Sequence, residues 1–478
     1  MTRVSDPRDT NGLPTGARRR AIVIGAGIGG LLAGRALADT YDEVLILERD
    51  TLPALGQNRQ GIPQGDHVHG LMARGRTILE TLFPGITDEL VGHGALLADL
   101  VADSRWFQGG GYHLETASGM HTLTMTRPLL EGVIRGRVLQ RPNVRILEGA
   151  VARGLLTSAD RSRITGVRIA GDPIVGGDEN SSADLVVDAS GRGSQLPMWL
   201  RMLGYDAPEE RRSGVETRYA SRFFRRHSGD LAGKLAVIVA SSPELRRGGV
   251  MIAQEGDRWL ATLAGRGGEQ PPTDLDAFID FARSLPAPEI FEIVSTAEPL
   301  GEAAVYGFRS NQRRAYESVP NFPEGVLPFA DGLCAFNPIY AQGMTVAAIE
   351  AGALASCLEA GTENLAHRFF AIIARDLDTA WKLAASADIR FVTVPQALPR
   401  KMRLLNGYMD RLQIAARTDP VVSIAFREVA NLQQPPSTLM RPAMVLRVLR
   451  GNLGRRAPQP ATPAPVAAPS PLLPVTPH

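Results

Sequence analysis

A glycine-rich turn near the amino terminus constrains the fold of this chain more than any other segment. Residues 25–30 read Gly-Ala-Gly-Ile-Gly-Gly, a GxGxxG pattern that follows an apolar run at 19–24 and opens a helical stretch at 27–39. A second apolar run, Glu43–Leu47, comes next. Strand, glycine turn, helix and strand at this spacing predict a βαβ unit with two parallel strands.

The glycines of this turn suit a dinucleotide. Gly25 permits a tight turn, Gly27 lets the backbone approach a pyrophosphate, and Gly30 lets helix and strand pack closely. Glu48 ends the second strand, where a carboxylate can accept both hydroxyls of an adenosine ribose. We therefore predict a site for FAD or NAD. The residues of the turn assigned to it are Gly25, Ala26, Gly27, Ile28, Gly29 and Gly30.

A second segment, residues 326–346, distinguishes between FAD and NAD. An apolar strand is followed by Asp331 and by a loop with Pro and Gly that opens a helix at Gly343. An acidic residue at such a strand end can bond the ribitol hydroxyls of FAD. Amides at the helix start can stabilise negative charge on the reduced flavin ring. This segment favours FAD.

Several segments together resemble the FAD-dependent monooxygenases of the para-hydroxybenzoate hydroxylase type. Within that group, the chain is most similar to the bacterial polyether and polyene epoxidases, which are akin to squalene epoxidases. The similarity covers residues 18–390. The matching segments, besides the two above, are 59–69 (Arg-Gln-Gly-Ile-Pro-Gln-Gly-Asp-His-Val-His), 185–194 (Leu-Val-Val-Asp-Ala-Ser-Gly-Arg-Gly-Ser), 257–259 (Asp-Arg-Trp) and 336–340 (Phe-Asn-Pro-Ile-Tyr).

Carried over by position, the resemblance implies a set of cofactor-binding residues. Glu48 and Arg49 would hold the ADP half of FAD with the glycine turn, and the backbone of Val151 would meet the adenine. Arg127, which opens a helix, would also reach FAD. The remaining residues implied to line the cofactor are Gln64, Gly191, Asp331, Pro338, Gln342, Gly343 and Met344.

Two positions depart from the family pattern and bear on the cofactors. Ala330 replaces the usual glycine before Asp331, which would crowd the ribitol. Ser190 stands where the hydroxylases have the aspartate of an Asp-Gly motif, which weakens the case for their use of NADPH. There is no second GxGxxG. Electrons would therefore come from NAD(P)H that visits transiently or from a separate flavin reductase.

The pattern and the resemblance together predict an α/β fold. It has a Rossmann-like FAD-binding domain of the GR2 type, an inserted antiparallel β-sheet domain for the substrate, and a C-terminal helical region. The predicted boundaries are a disordered arm at 1–17; the FAD-binding domain at 18–105, 121–210 and 300–360; the substrate domain at 106–120 and 211–299; the helical region at 361–455; and a Pro/Ala-rich disordered tail at 456–478.

The resemblance implies oxygen transfer from a flavin 4a-hydroperoxide to an apolar, electron-rich substrate of secondary metabolism, such as antibiotic biosynthesis. No His or Tyr can be placed from sequence against a substrate hydroxyl, which tilts the expectation from phenol hydroxylation towards alkene epoxidation. The alternatives are a flavin-dependent reductase or desaturase of isoprenoids and a non-catalytic, escort-type lipid-binding protein. Aromatic residues predicted to line the substrate pocket, unless they pack in a core, are Tyr219, Phe223, Trp259 and Tyr340.

Composition narrows the partners further. Lys+Arg 52 against Asp+Glu 50 gives no field that would attract nucleic acid, and no run of about 20 apolar residues predicts a membrane span. Cys334 and Cys357 form no disulfide framework, which favours a cytoplasmic protein. His67 and His69 lack further ligands at metal-site spacing, so no metal is predicted, and a role beside the flavin or in ordering their loop is preferred.

Overall fold

The computed structural model describes residues 18–59, 61–170, 179–392 and 397–453, with strands and helices numbered in chain order. At its centre is a five-stranded parallel sheet of order β19-β11-β1-β2-β7. Its strands are runs of Val, Ile and Leu buried on both faces, as expected for a sheet covered by helices. The strands are β1 (Arg20–Ile24), β2 (Glu43–Leu47), β7 (Val144–Leu147), β11 (Leu185–Asp188) and β19 (Val326–Pro328).

Helices cover this sheet and bury its side chains. α8 is apolar almost all round, and it packs against α1 on one side and α2 on another. At α4, the Thr126 hydroxyl accepts the Leu129 N–H as an N-cap, and Pro128 suits the first turn because its missing N–H is not needed there. These helices are α1 (Ile28–Leu37), α2 (Ala73–Leu82), α3 (Ile86–Gly92), α4 (Arg127–Leu139), α5 (Leu196–Met202) and α8 (Gly343–Glu359).

A seven-stranded, mostly antiparallel sheet of order β17-β13-β16-β15-β14-β4-β5 forms the second layer. One face packs on α6 (Leu275–Arg283) and α7 (Glu289–Val294) around a second hydrophobic core. The other face looks towards the parallel-sheet region, since its Tyr219 bonds Asn337 there. The strands are β4 (Ser104–Gln108), β5 (Gly111–Tyr112), β13 (Thr217–Arg225), β14 (Ala236–Val239), β15 (Arg247–Gln254), β16 (Arg258–Arg266) and β17 (Pro299–Phe308).

Three small sheets complete the strands of the described residues. One is an antiparallel sheet of β8, β9 and β10, which lie between β7 and β11 in the sequence. Another joins β12, β18 and β20. The third pairs β3 with β6. Their strands are β3 (Leu96–Asp99), β6 (His121–Thr124), β8 (Val151–Thr157), β9 (Ile164–Ala170), β10 (Glu179–Ser182), β12 (Glu209–Ser213), β18 (Asn311–Ala315) and β20 (Cys334–Ala335).

The C-terminal part is helical and has its own small core. α10, α11 and α12 pack around Leu412, Val422 and Val448. Asp419 caps α11, where its carboxylate accepts the N–H groups of Val421 and Val422. These helices are α9 (Leu365–Val392), α10 (Arg400–Ala415), α11 (Pro420–Ala430) and α12 (Pro442–Gly451).

The predicted fold class is confirmed: a parallel α/β unit, an inserted antiparallel sheet and C-terminal helices are all present. One predicted boundary is wrong, because β17 pairs with β13 and therefore belongs to the inserted sheet, whereas residues 300–308 were assigned to the FAD-binding domain. The predicted arm at 1–17 and the tail at 456–478 lie outside the described residues. Within the described ranges, no helix combines the length and apolar character that crossing a membrane requires.

Candidate functional site

The chain segments predicted to bind a dinucleotide meet at one edge of the parallel sheet. The turn at Gly25 follows β1, Glu48 follows β2, and the segment from Ala189 to Gly191 follows β11. Asp331 follows β19 at the same edge. The carboxyl ends of parallel strands are where ligands bind in open α/β sheets. Residues more than 300 positions apart in sequence therefore converge on one site.

The glycine turn has no room for a side chain at Gly25 or at Gly30. Gly25 has φ +99°, and a Cβ there would lie 2.7 Å from the carbonyl oxygen of Ala189. A Cβ on Gly30 would lie 1.8 Å from the carbonyl oxygen of Gly25. Both glycines are therefore required for the close approach of α1 to β1 and β11.

A buried network of charges lies beside this turn. Glu48 Oε2 accepts the Ala26 N–H at 2.8 Å and pairs with Arg59 Nη1 at 2.8 Å. Burial raises the pKa of Glu48, but the Arg59 charge and the backbone hydrogen bonds outweigh it and lower the net pKa. Glu131 links Arg59, at 3.3 Å, to Arg127, at 3.6 Å. Arg59 and Glu131 are site residues that sequence reasoning missed; Arg59 lay in a quoted motif but had no assigned role.

Asp331 and its neighbours form the opposite end of the site. Its Oδ1 would lie 3.7 Å from a Cβ on Gly343, so the carboxylate faces the amino terminus of α8. Burial raises the pKa of Asp331, and the charges of Arg127 and Arg192 oppose that rise. Ala330 before it has φ +52°, a left-handed conformation that a residue other than glycine adopts only rarely.

The methyl group of Ala330 is accommodated against α1. A Cβ on Gly29 would lie 2.6 Å from the Ala330 Cβ, so Gly29 provides the space that this methyl group takes. The Ala330 N–H donates to Glu350 Oε2 at 2.6 Å. Ala330 is thus held by packing and by its hydrogen bond to Glu350 on the helix that begins at Gly343.

The loop between β20 and α8 is fixed by Asn337. Its side chain accepts the Ile339 N–H and the Tyr219 hydroxyl proton, and it donates to Thr217 Oγ1 at 3.1 Å. Asn311 in turn accepts the Asn337 N–H at 2.7 Å. The motif at 336–340 therefore joins the inserted sheet to the start of α8.

A polar cluster around Asp388, which no sequence pattern indicated, secures the same loop. Asp388, 1% exposed on α9, pairs with Arg266 at 3.0 Å and accepts the Asn311 amide at 2.7 Å. The Tyr340 hydroxyl also donates to it. Burial raises the pKa of Tyr340 well above the ordinary tyrosine value, so the phenol is neutral at physiological pH.

His67 lies where the loop at 61–70 meets the inserted sheet. Its Nδ1 is 2.7 Å from Ser221 Oγ, which is 2.5 Å from Thr262 Oγ1. Burial lowers the pKa of His67, and it lowers the pKa of His69 to about 3, so both rings are neutral. Within the described residues, no three His, Cys, Asp or Glu side chains form a metal-binding group.

An aromatic surface on the inserted sheet faces this histidine. The rings of Tyr219 and Tyr306 stack at 6.3 Å, and Tyr306 is 5.7 Å from the His67 ring. Phe308 packs in the same small cluster and lies under Arg192 at 4.7 Å. Tyr306 and Phe308 were not among the predicted pocket residues, because β17 had been assigned to the other domain.

The other two aromatic residues predicted on the inserted sheet, Phe223 and Trp259, lie on opposite faces of it. Phe223 is half-buried, with Arg258 over its ring at 4.9 Å. Trp259 is fully buried in the second core, and its Nε1 donates to Asp230 at 2.8 Å. Trp259 as a pocket residue is therefore wrong: it points to α6 and α7, on the face opposite Tyr219.

The other predicted cofactor residues lie at or near the same edge. Val151 begins β8 next to the Glu48 strand end, whereas the Arg49 side chain is mostly exposed. Gln64 lies in a 3-10 turn at Pro63–Asp66, and Gly191 has φ +83°. The residues of the β20–α8 segment, Pro338, Gln342, Gly343 and Met344, follow the loop held by Asn337.

No family model matches the sequence. Protein Rv3254 of Mycobacterium tuberculosis is 34% identical over 437 residues, which span 88% of this chain and 89% of that protein. The chain belongs to the same family as this mycobacterial protein. A kynurenine 3-monooxygenase of Salinispora arenicola is 33% identical to this chain over 181 residues, 36% of each protein.

Solved structures of flavoproteins are similar to this member of the Rv3254 family. A flavoprotein/dehydrogenase from Cytophaga hutchinsonii has a TM-score of 0.65 at 15% identity, covering 91% of this chain and 98% of that one. PqsL of Pseudomonas aeruginosa, a probable FAD-dependent monooxygenase, has a TM-score of 0.60 at 16% identity, covering 79% and 99%. The p-nitrophenol 4-monooxygenase PnpA of Pseudomonas putida has a TM-score of 0.60 at 14% identity, covering 87% and 98%. The fold is that of the FAD-dependent monooxygenases.

Proposed function

We propose that this protein is an FAD-dependent monooxygenase that transfers one oxygen atom from dioxygen to an apolar, electron-rich small molecule of secondary metabolism. The product would be an epoxide or a hydroxylated compound. The observation that carries the proposal is the convergence of the glycine turn at Gly25 and the Asp331–Gly343 segment on one sheet edge. A likeness to flavin monooxygenases in sequence and fold supports it.

The residues at this edge fit FAD. The start of α1 has glycines at three of its first four positions from Gly27 and no acidic residue, which suits a pyrophosphate. Glu48 would accept the ribose hydroxyls, and Asp331, already facing the start of α8, would accept those of the ribitol. Arg127 would reach the cofactor from the start of α4.

Arg59 would change partners when the cofactor binds. Its Nη2 is 3.5 Å from the point that a Gly27 Cβ would take, so the guanidinium lies in front of the turn. Between this loop and α4 there is only a small cavity, of about 10 Å³. The pyrophosphate would therefore displace Arg59 from Glu48 and offer it phosphate oxygens instead.

Bound FAD would activate dioxygen, and the protein would position the substrate and exclude water from the flavin. Tyr219, Tyr306 and Phe308 form an apolar surface beside the loop at 336–340. Such a surface would hold an oily substrate and keep water from the flavin. Burial lowers the pKa of His67, which makes it a weak base, so it would orient the substrate more than it would deprotonate it; this favours an alkene over a phenol.

Product analysis with isotopically labelled dioxygen tests this function. The FAD-loaded protein, given NAD(P)H or a flavin reductase and a panel of apolar alkenes and phenols, should yield a product with one labelled oxygen atom. A product that has gained or lost two hydrogens and no oxygen would support a reductase or desaturase instead. Purified protein that retains no flavin after incubation with FAD would support the escort-type reading and overturn the proposal.

A further inference from the structure

Arg427, at the end of α11, differs from the other deeply buried arginines of the chain. It is 2% exposed, yet within the described residues its guanidinium has neither an ion pair nor a hydrogen bond. The comparably buried arginines all have such partners. These are Arg222 (carbonyls of Gly301 and Thr273), Arg266 (Asp388), Arg313 (Asp378 and Glu317) and Arg314 (carbonyls of Gly332 and Arg192).

Aromatic rings hold this guanidinium in place. Its central carbon is 3.8 Å from the centre of the Trp106 ring, and Phe426 packs edge-on against the same ring. His113 stacks on Trp106 at an interplanar angle of 4°, and its buried ring lies beside Gln413. A cation–π contact and the end of a helix stabilise the charge, but they leave the buried Nε–H of Arg427 without an acceptor in the described residues.

The physical cost of this arrangement is large. Burial lowers the pKa of Arg427 to about 9, and it lowers that of His113 to about 4. A buried charge that no protein group compensates is costly to the fold. A buried arginine without an ion-pair partner in the described residues is therefore suited to a ligand, and its planar donors match a carboxylate.

The position of Trp106 connects this arginine to the candidate active site. Across the inserted sheet, Trp106 pairs with Ile238, Ile238 with Val250, Val250 with Thr262, and Thr262 with Ser221. Directly paired residues point to the same face, so all five side chains share the face on which Ser221 meets His67. Four strand spacings place Trp106 roughly 19 Å from Ser221.

The row is apolar at Ile238 and Val250, whereas Thr262 and Ser221 are buried, and Thr262 Oγ1 accepts the Val68 N–H of the loop that covers it. Ile238 and Val250 both retain some exposure, whereas their neighbours Val237 and Met251, on the opposite face, are buried in the second core. This face has a cation at one end, aliphatic side chains in the middle and the flavin-side histidine at the other end. It therefore suits an elongated ligand with one charged end.

We propose that Arg427 binds the carboxylate of an extended, apolar carboxylic acid whose chain lies along the Trp106–Ser221 row towards the flavin. This inference rests on the proposed monooxygenase function and names its substrate class. Arg427 would then set which part of the molecule reaches the oxidising end, and Trp106 would keep the guanidinium in plane.

Binding of cis-parinaric acid, a fluorescent unsaturated acid, compared with its methyl ester tests the proposal on the FAD-loaded protein. The wild type should bind the acid roughly 10- to 100-fold more tightly than the ester. Arg427→Gln should lose that preference, Arg427→Lys should keep part of it, and the exposed Arg403→Gln on α10 should keep all of it. Equal affinity for acid and ester in the wild type, binding of neither, or a preference that survives in Arg427→Gln would overturn the inference.

Two further measurements on the same samples separate the alternatives. Arg427→Gln should unfold at a urea concentration no lower than that of the wild type, whereas a clear loss of stability would mean that the arginine is structural and would overturn the inference. Saturable displacement of the acid by acetate alone, at low concentration, would identify a site for a small free anion and would also overturn it. Flavin content is recorded in parallel: normal flavin with no acid preference ends this inference alone, and absent flavin ends the proposed function.

Discussion

Glu350 offers a test of the electrostatics beside the flavin segment through the change Glu350→Gln. The carboxyl is 1% exposed in α8; Oε2 accepts the Ala330 N–H, and Oε1 has no partner in the described residues. Burial raises its pKa from 4.5 to about 8, partly offset by that hydrogen bond and reinforced by Asp331. Between these two pH values the unfolded chain ionises Glu350 while the folded protein keeps it protonated. The fold therefore loses stability as pH rises through this window.

The magnitude follows from the difference in pKa. This group lowers the free energy of unfolding by about 1 kcal/mol at pH 5 and by about 4 kcal/mol at pH 8. Glutamine keeps an acceptor for the Ala330 N–H and does not ionise. The stability of Glu350→Gln relative to the wild type should therefore rise by about 3.5 kcal/mol between pH 5 and pH 8.

Urea unfolding of both proteins at the two pH values measures this difference, and titration of all other groups cancels in the comparison. The exposed Glu359→Gln on the same helix is the matched control and should show no pH-dependent difference from the wild type. If the wild type and Glu350→Gln share one pH dependence, Glu350 is not the buried, protonated carboxyl described above.

Three further outcomes follow from the same structure. Asp331→Asn should weaken FAD retention by roughly 10- to 100-fold, because a charged acceptor for the ribitol is lost; equilibrium dialysis that shows unchanged retention would remove this assignment. Gly25→Ala should lower the free energy of unfolding by several kcal/mol, because of the positive φ and the contact with the Ala189 carbonyl. The control Gly56→Ala should lower it by about 1 kcal/mol, because φ there is also positive but the surroundings are open. Similar melting temperatures of the two variants would contradict this. Asp388→Ala should lower the free energy of unfolding by about 3–5 kcal/mol, because it leaves Arg266 buried and unpaired. Asp410→Ala removes one partner of a more exposed pair and should lower it by at most about 1 kcal/mol. Equal losses in urea unfolding would contradict the assigned burial.

The features that the sequence predicted well are those with a local cause. The glycine turn at 25–30 and the apolar runs of β1, β2 and β11 have patterns that short-range geometry dictates, and their elements begin and end within a few residues of the prediction. Asp331 also follows from its position after a short apolar run. Local spacing was sufficient for these residues because each depends on its own strand or turn.

The features that the sequence did not predict depend on long-range pairing. β17 joins the inserted sheet only because it pairs with β13, about 80 residues earlier, and no local pattern distinguishes it from a strand of the parallel sheet. Alternation along β16 groups Trp259 with Leu263 on one face, but it cannot say which face meets α6. Asp388 looks like any polar residue of a long helix until Arg266 is brought to it.

The most direct test of the central claim is a crystal structure of the FAD complex. The account predicts that the isoalloxazine ring lies beside residues 340–344, that the ribitol hydroxyls bond Asp331, and that the pyrophosphate lies on the turn at Gly25. A flavin ring bound elsewhere, or no room for it between the loop at 336–340 and the aromatic surface of Tyr219 and Tyr306, would contradict the account.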